Sequence, residues 1–193
     1  TLSAVTFLDA WLERRIDNAA CGFRYRHSIF KERKDWLILA AEFTLSPADR
    51  GDLEPRAAEI RGVRDAKYPP TMRCAGSIFK NLLLAELNGV DVPAAVVKNG
   101  KVPAAWFLDQ AGGKGLRRGG IQVADYHANL IYNDGGGTAS DFRTVVEELK
   151  ARVHARFGFH LEEEVQYMGY ENSVAGLEGL ERALAEGQRL EFA

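Results

Sequence analysis

The sequence predicts an α+β protein, and three observations carry that expectation. Apolar residues alternate at the strand period near the N-terminus, they recur at helical spacing between Thr138 and Gly158, and glycines and prolines divide the chain into short elements of both kinds. With 46% hydrophobic and 27% charged residues over a length of 193, the composition is that of an ordinary folded protein with apolar surface for one good core or two small ones.

Taken in order, Ala4 to Leu8 alternates as a strand, Asp9-Ala10 makes a turn, and Trp11 to Ile16 returns to close a hairpin. Asp17 or Asn18 caps a short helical turn leading into Cys21-Gly22-Phe23. Trp36 to Leu45 is a nearly continuous apolar run, which predicts a strand buried on both faces. The charged segment from Ala48 to Tyr68 reads as a surface helix ended by Pro69-Pro70, and a domain boundary is expected within it. Pro103 suits a first helical turn before a helix over Ala104 to Ala111, with Gly112-Gly113 as its stop. Ile121 to Val123 and Ala128 to Tyr132 are short strands. Thr138 and Asp141 form a capping-box start, after which Phe142, Val145, Val146, Leu149, Val153 and Phe157 share a helix face up to Gly158. Leu161 to Met168 alternates as a strand that would set Glu162 and Glu164 on one side. A helix over Ala175 to Ala185 and a terminal strand at Leu190 to Phe192 complete the expectation.

Composition also excludes function classes. A net charge of −2 gives no global basic field for nucleic acid or an anionic membrane. No apolar stretch approaches the roughly 20 residues of a spanning helix. Cys21 and Cys74 form no CxxC pair and no histidine cluster has ligand spacing, so neither a disulfide framework nor a metal site is expected and a cytoplasmic setting fits. Thr1 in place of Met, already followed by a strand, suggests a start inside a longer protein.

Generic nucleotide motifs fail: Gly112 to Gly120 does not satisfy GxGxxG and no P-loop occurs. Asp134-Gly135-Gly136-Gly137-Thr138 opens a helix, yet reads first as a turn before a capped helix rather than a phosphate site. Three clusters stand out. Tyr25-Arg26-His27-Ser28-Ile29-Phe30-Lys31 concentrates polar donors ahead of an apolar run, and an arginine there can grip a carboxylate bidentately. Cys74-Ala75-Gly76-Ser77-Ile78-Phe79-Lys80-Asn81 puts small residues before a serine, as where backbone approaches a ligand. Glu162-Glu163-Glu164 is the third. Taken singly, each reads more simply as a polar strand end, a Gly-Ser turn and a solvated charge run, and His127 reads as a structural histidine.

Together and in order, the segments Cys21 to Lys31, Ala75 to Asn81, Pro103 to Gly112, Gly119 to Val123, His127 to Asn129 and Leu161 to Val165 resemble the C-terminal part of the UDP-N-acetylenolpyruvoylglucosamine reductase family. The likeness runs from about Ala4 to Gly169. It implies the end of a flavin-binding α+β domain over residues 1–50, a small α/β substrate-binding domain over 51–170 and a C-terminal extension over 171–193. It also implies a missing N-terminal flavin-binding segment of the same chain, and leaves the cofactor-binding residues unknown.

The resemblance further implies NADPH as hydride donor, FAD as carrier, and reduction of UDP-N-acetylglucosamine enolpyruvate to UDP-N-acetylmuramate for peptidoglycan. Hydride addition at C3 of the enolpyruvyl group leaves carbanion character at C2 beside a carboxylate. Such an intermediate needs a cation for the carboxylate and an acid for C2. Arg26, in the family's YR-x-S motif, is the implied cation, Ser77 of GS-x-FKN the implied acid, and Glu164 of LE-x-EV the implied orienting carboxylate. Tyr25, Asn81 and His127 match substrate-contacting positions, and Lys67 is placed near the diphosphate. Departures are His27 where the family commonly has Asp, Leu82 in place of a proline after FKN, and a longer stretch from Leu83 to Val102. The alternative is a UDP-sugar-binding fragment without redox activity.

Overall fold

The computed structural model describes residues 1–167; the expected helix over 175–185, the strand over 190–192 and the last residue of the 161–168 strand lie outside them. Helices and strands are mixed, and two compact units form, Thr1–Asp49 and Arg50–Gln166.

The first unit is a three-stranded antiparallel sheet of order β2-β1-β3, from β1 (Leu2–Asp9), β2 (Leu12–Asp17) and β3 (Leu37–Phe43). Its hairpin turns at Ala10 and Trp11, one residue later than expected, with φ of 48° and 68°. Both values lie in the left-handed region that two-residue hairpin loops demand and that side chains with a Cβ resist. Asp17 caps the following turn, its Oδ1 accepting the Ala20 N–H at 2.8 Å. The central strand β1 buries Ala4, Val5 and Phe7. Phe7 stacks on Trp36 at 4.2 Å and meets Phe30 edge-on at 5.4 Å, Phe30 coming from the one-turn helix α1 (Ile29–Glu32). Such aromatic pairs add about 0.5–1.5 kcal/mol beyond their buried area.

The expectation of a strand buried on both faces at Trp36 to Leu45 is corrected. In β3, Leu37, Ile38 and Phe43 are 51%, 52% and 63% exposed. An apolar run specifies burial only where layers cover both faces. As the edge of a three-stranded sheet, β3 receives no such layers from the described residues of its unit.

The second unit opens with α2 (Arg50–Lys67), a surface helix burying none of its residues. A four-stranded sheet of order β4-β9-β8-β7 follows, from β4 (Arg73–Ser77), β7 (Arg117–Arg118), β8 (Ile121–Ala124) and β9 (His127–Asn133). Every pairing is antiparallel, so this unit is α+β in character rather than the expected α/β. Hairpin connections need no parallel crossover.

The stretch from Leu83 to Val102 is an excursion closed by the two-residue strands β5 (Leu82–Leu83) and β6 (Lys101–Val102), whose pairing sets Leu82 opposite Val102. It packs Leu87, Val90, Val92, Val96 and Val97 against the core. Helix α3 (Ala104–Gln110) buries Phe107 and Leu108, and α4 (Ala139–Phe157) buries Val145, Val146, Leu149 and Val153. Each fully buried side chain of this size contributes about 1.5–3 kcal/mol relative to exposure. The Thr138–Asp141 capping box is complete and Gly158 ends α4 at φ 79°, as the sequence predicts.

The strand expected over Leu161 to Met168 is not formed within the described residues. Only an isolated bridge between Phe79 and Glu163 stands there. Alternation had the strand period, but just a short length of backbone around Phe79 is available to pair with it.

Replacing Ala10 by Asn and Trp11 by Gly relieves the two left-handed residues. The double variant is expected to gain on the order of 1 kcal/mol, read as a rise in the urea midpoint with an unchanged m-value.

Candidate functional site

Ser77 ends β4 directly after an interruption of the ladder. Cys74 pairs with Tyr132 and Ser77 with Leu130, so three steps on β4 oppose two on β9. The extra residue is a β-bulge, which bends its strand and redirects the side chain that follows. Gly76 takes φ 78° there, and a Cβ added to it would meet nothing within 4 Å. The glycine is therefore required by its backbone angle.

Beyond Ser77, the backbone is tied to the glutamate segment. The Lys80 N–H donates to the Glu162 carbonyl at 2.9 Å, and the Glu164 N–H donates to the Ile78 carbonyl at 2.7 Å. Ser77 and Glu164 thus enter one small construction, both half-buried. The three glutamates are sorted rather than jointly solvated. Glu162 pairs with Lys80, and Glu163 pairs with Lys150 at 3.0 Å. Burial by itself lowers the pKa of Lys150, but its hydrogen bonds to Glu163 and Glu147 outweigh that and raise it.

Asn81 is exposed, and its Oδ1 accepts the Ala104 N–H at 3.2 Å, which ties the serine loop to the start of α3. Lys67 ends α2, its carbonyl accepting the Tyr126 hydroxyl at 2.9 Å and its Nζ lying 5.2 Å from the Tyr68 ring. His127 begins β9. Burial pushes its imidazole below the ordinary 6.5, and the positive charges of Lys67 and Lys114 push the same way. Its Nδ1 accepts the Asn129 N–H at 3.2 Å, which leaves the proton on Nε2 as a donor. Lys67 and Lys114, the latter paired with Asp109 at 2.8 Å, thus bring positive charge toward His127. Lys114 was missed in the sequence, where one lysine among glycines gives no signal beyond a polar turn.

Tyr25 and Arg26 lie in the first unit, at the tip of a tight turn closed by reciprocal backbone bonds between Arg24 and His27 at 3.2 and 3.1 Å. Arg26 takes φ 52°, which costs a non-glycine residue about 1–2 kcal/mol. Lys31 Nζ donates to its carbonyl at 3.1 Å, and its guanidinium lies 5.7 Å from the Tyr25 ring centre. His27, the departure from the family motif, pairs through Nε2 with Glu32 at 2.8 Å.

The glycine loop before α4 is a turn. Asn133 Oδ1 accepts the N–H groups of Gly135 and Gly137 at 2.8 and 2.9 Å, and its Nδ2 donates to the Gly137 carbonyl at 2.7 Å. Asp141 already occupies the helix N-terminus by accepting the Thr138 N–H at 2.9 Å.

A family model described as UDP-N-acetylenolpyruvoylglucosamine reductase, C-terminal domain, matches residues 68–168. The chain belongs to this family. A reductase of that name from Solibacter usitatus is 58% identical over 170 residues, which are 86% of this chain and 54% of the relative. One from Carboxydothermus hydrogenoformans is 36% identical over 149 residues, 77% of this chain and 43% of the relative. The crystal structure of UDP-N-acetylenolpyruvylglucosamine reductase from Thermus caldophilus matches with a TM-score of 0.61 and 27% identity, over 86% of this chain and 52% of that one. The chain thus spans about half the length of the reductases it matches. Among the described residues no helix is long and apolar enough to cross a membrane.

Because the folded His127 has a lowered pKa, the unfolded chain takes up the proton first as pH falls. The stability associated with neutral His127 is present above about pH 6.5 and is lost as pH falls from there through the folded pKa. Urea midpoints across this range should fall more for the parent than for His127→Gln.

Proposed function

We propose that this chain, as part of a longer reductase, supplies the substrate half of the reduction of UDP-N-acetylglucosamine enolpyruvate to UDP-N-acetylmuramate, an oxidoreductase step of peptidoglycan synthesis. The observation that carries the reading is the joint placement of Ser77, turned by its bulge, and Glu164, on backbone hydrogen-bonded to the residue after Ser77.

The roles follow from the chemistry of the intermediate. Arg26, a planar cation on a backbone held in one conformation, binds the carboxylate whose charge grows when C3 receives hydride. Tyr25 beside it supports that contact. Ser77 gives its hydroxyl proton to C2. An alcohol is a weak acid, but a carbanion is a strong base, and a neutral donor avoids burying a charge. Glu164 orients the enol-carboxylate, and Asn81 holds the sugar portion. Lys67 and His127, joined by Lys114, take the diphosphate, where the Nε2 proton of a neutral imidazole serves as a donor without a charge to desolvate.

FAD, recharged by NADPH, would supply the hydride. Residues 1–50 form the end of its domain in this reading, with β3 (Leu37–Phe43) among them. The rest of the flavin site is assigned to other parts of the longer chain. A cytoplasmic location accords with a nucleotide-linked substrate and a pyridine-nucleotide donor.

A second reading, UDP-sugar binding without redox activity, draws on Lys67, Lys114 and His127 lying within one unit that has its own core. One experiment separates the two. In the full-length protein, Ser77→Ala should leave flavin reduction by NADPH intact and slow reoxidation by the enolpyruvyl substrate by about 10²-fold or more. Reoxidation at the parental rate would remove Ser77 as the acid. A colourless full-length protein that still binds the UDP-sugar would establish the binding-only reading.

A further inference from the structure

A polar side chain with no role so far sits in the apolar core of the second unit. Asn129 is 2% exposed, among Ile78, Phe79, Ala128, Leu130 and other buried neighbours. An unpartnered amide there would be costly. Its bonds all go to one place. Oδ1 accepts the N–H of Ile78 at 3.1 Å and of Phe79 at 2.8 Å, and Nδ2 donates to the Phe79 carbonyl at 2.9 Å. The Asn129 main-chain carbonyl also accepts the Ile78 N–H at 3.2 Å.

The geometry is that of a missing strand residue. The bulge before Ser77 throws the β4 backbone out of register with β9, so Phe79 would be left with an N–H and a carbonyl facing the sheet without ladder partners. A carboxamide carries one acceptor and one donor at the spacing of a peptide group. Asn129 turns this pair toward Phe79 and replaces the lost rung. On its other side the same segment is bonded to Glu162 and Glu164. The residues after Ser77 are thus held between the Asn129 side chain and the glutamate segment.

We propose that Asn129 is a positioning residue: it fixes the direction of the Ser77 hydroxyl, and the separation of Ser77 from Glu164, by clamping Ile78 and Phe79. The proposal rests on the assignment of Ser77 as the acid. Asn129 touches no reacting atom in this account and acts through the backbone alone. Its main-chain N–H is spent on His127 Nδ1, so the same residue also sets the tautomer at the diphosphate group. Only the side chain is at issue here.

The test is made in the full-length flavoenzyme, with Asn129→Ala, Ser77→Ala and the double variant. At saturating enolpyruvyl substrate, Asn129→Ala should slow flavin reoxidation on the order of 10²-fold, the scale of a displacement of about 1 Å at a catalytic group. Flavin reduction by NADPH should be unchanged. With Ser77 already absent, adding Asn129→Ala should slow the reaction no further, because a residue acting through Ser77 has nothing left to position. Independently of turnover, hydrogen exchange at the Ile78, Phe79 and Glu164 amides should accelerate.

Parental reoxidation in Asn129→Ala, unchanged exchange at those amides, or losses that multiply in the double variant would each overturn the proposal. If Asn129→Ala does not fold, Asn129→Asp, which keeps an oxygen acceptor for both amides but loses the donor to the Phe79 carbonyl, is put through the same cycle and judged on reoxidation and on coupling to Ser77→Ala. Failure here differs from failure of the function. A crippled Ser77→Ala beside a normal Asn129→Ala defeats only the positioning role, whereas a normal Ser77→Ala defeats the acid on which it depends.

Discussion

The candidate site depends on how one stretch of backbone, Ile78 to Lys80, finds hydrogen-bond partners after a bulge has broken its ladder. Peptide groups taken out of water must be paired, or each costs about 1–3 kcal/mol. The fold meets that requirement from two directions, with a buried carboxamide on one side and the glutamate segment on the other. Serine, glutamate and the histidine end of β9 are brought into one construction as a by-product of pairing. The positions of Ser77 and Glu164 are in this sense set by main-chain chemistry.

Charge is distributed on that frame in a way that keeps the neighbouring carboxylates apart in function. Exposed ion pairs contribute little to stability, commonly 0–1 kcal/mol. Their value here is positional. Glu162 is engaged by Lys80 from the serine loop, and Glu163 by Lys150 from α4. The run of three glutamates consequently presents three different environments in three consecutive residues. At the start of β9, Lys67 and Lys114, from the end of α2 and the loop after α3, both act against a charged His127.

Much of the fold was legible because it is local. The hairpin, the capping box at Thr138, the helix face running from Val145 to Val153 and the stop at Gly158 are each specified within a few residues of themselves. Two errors share a cause. Leu37 to Phe43 and Leu161 to Val165 both have strand-like patterns, but burial of the first depends on covering layers and pairing of the second on a partner edge, and neither is written in the segment itself. The same limit held at the site. The resemblance to the reductase family implied Arg26, Ser77 and Glu164, while Lys114 and Asn129 come forward only through tertiary neighbours, as in the contact between positions 79 and 129. A lone asparagine in a strand gives no sign that its amide will stand in for a peptide bond.

Strand β3 has a further consequence for the polypeptide as a material. Among the described residues it lies at one margin of its sheet with large apolar side chains exposed, and a margin of this kind offers N–H and carbonyl groups to any passing strand. It carries one acidic residue, Glu42, which is already paired with Arg15 at 2.8 Å, and no proline or lysine to discourage such addition. Concentrated solutions of these residues in isolation therefore face a colloidal hazard that grows with concentration and that a single inward lysine on β3 would reduce.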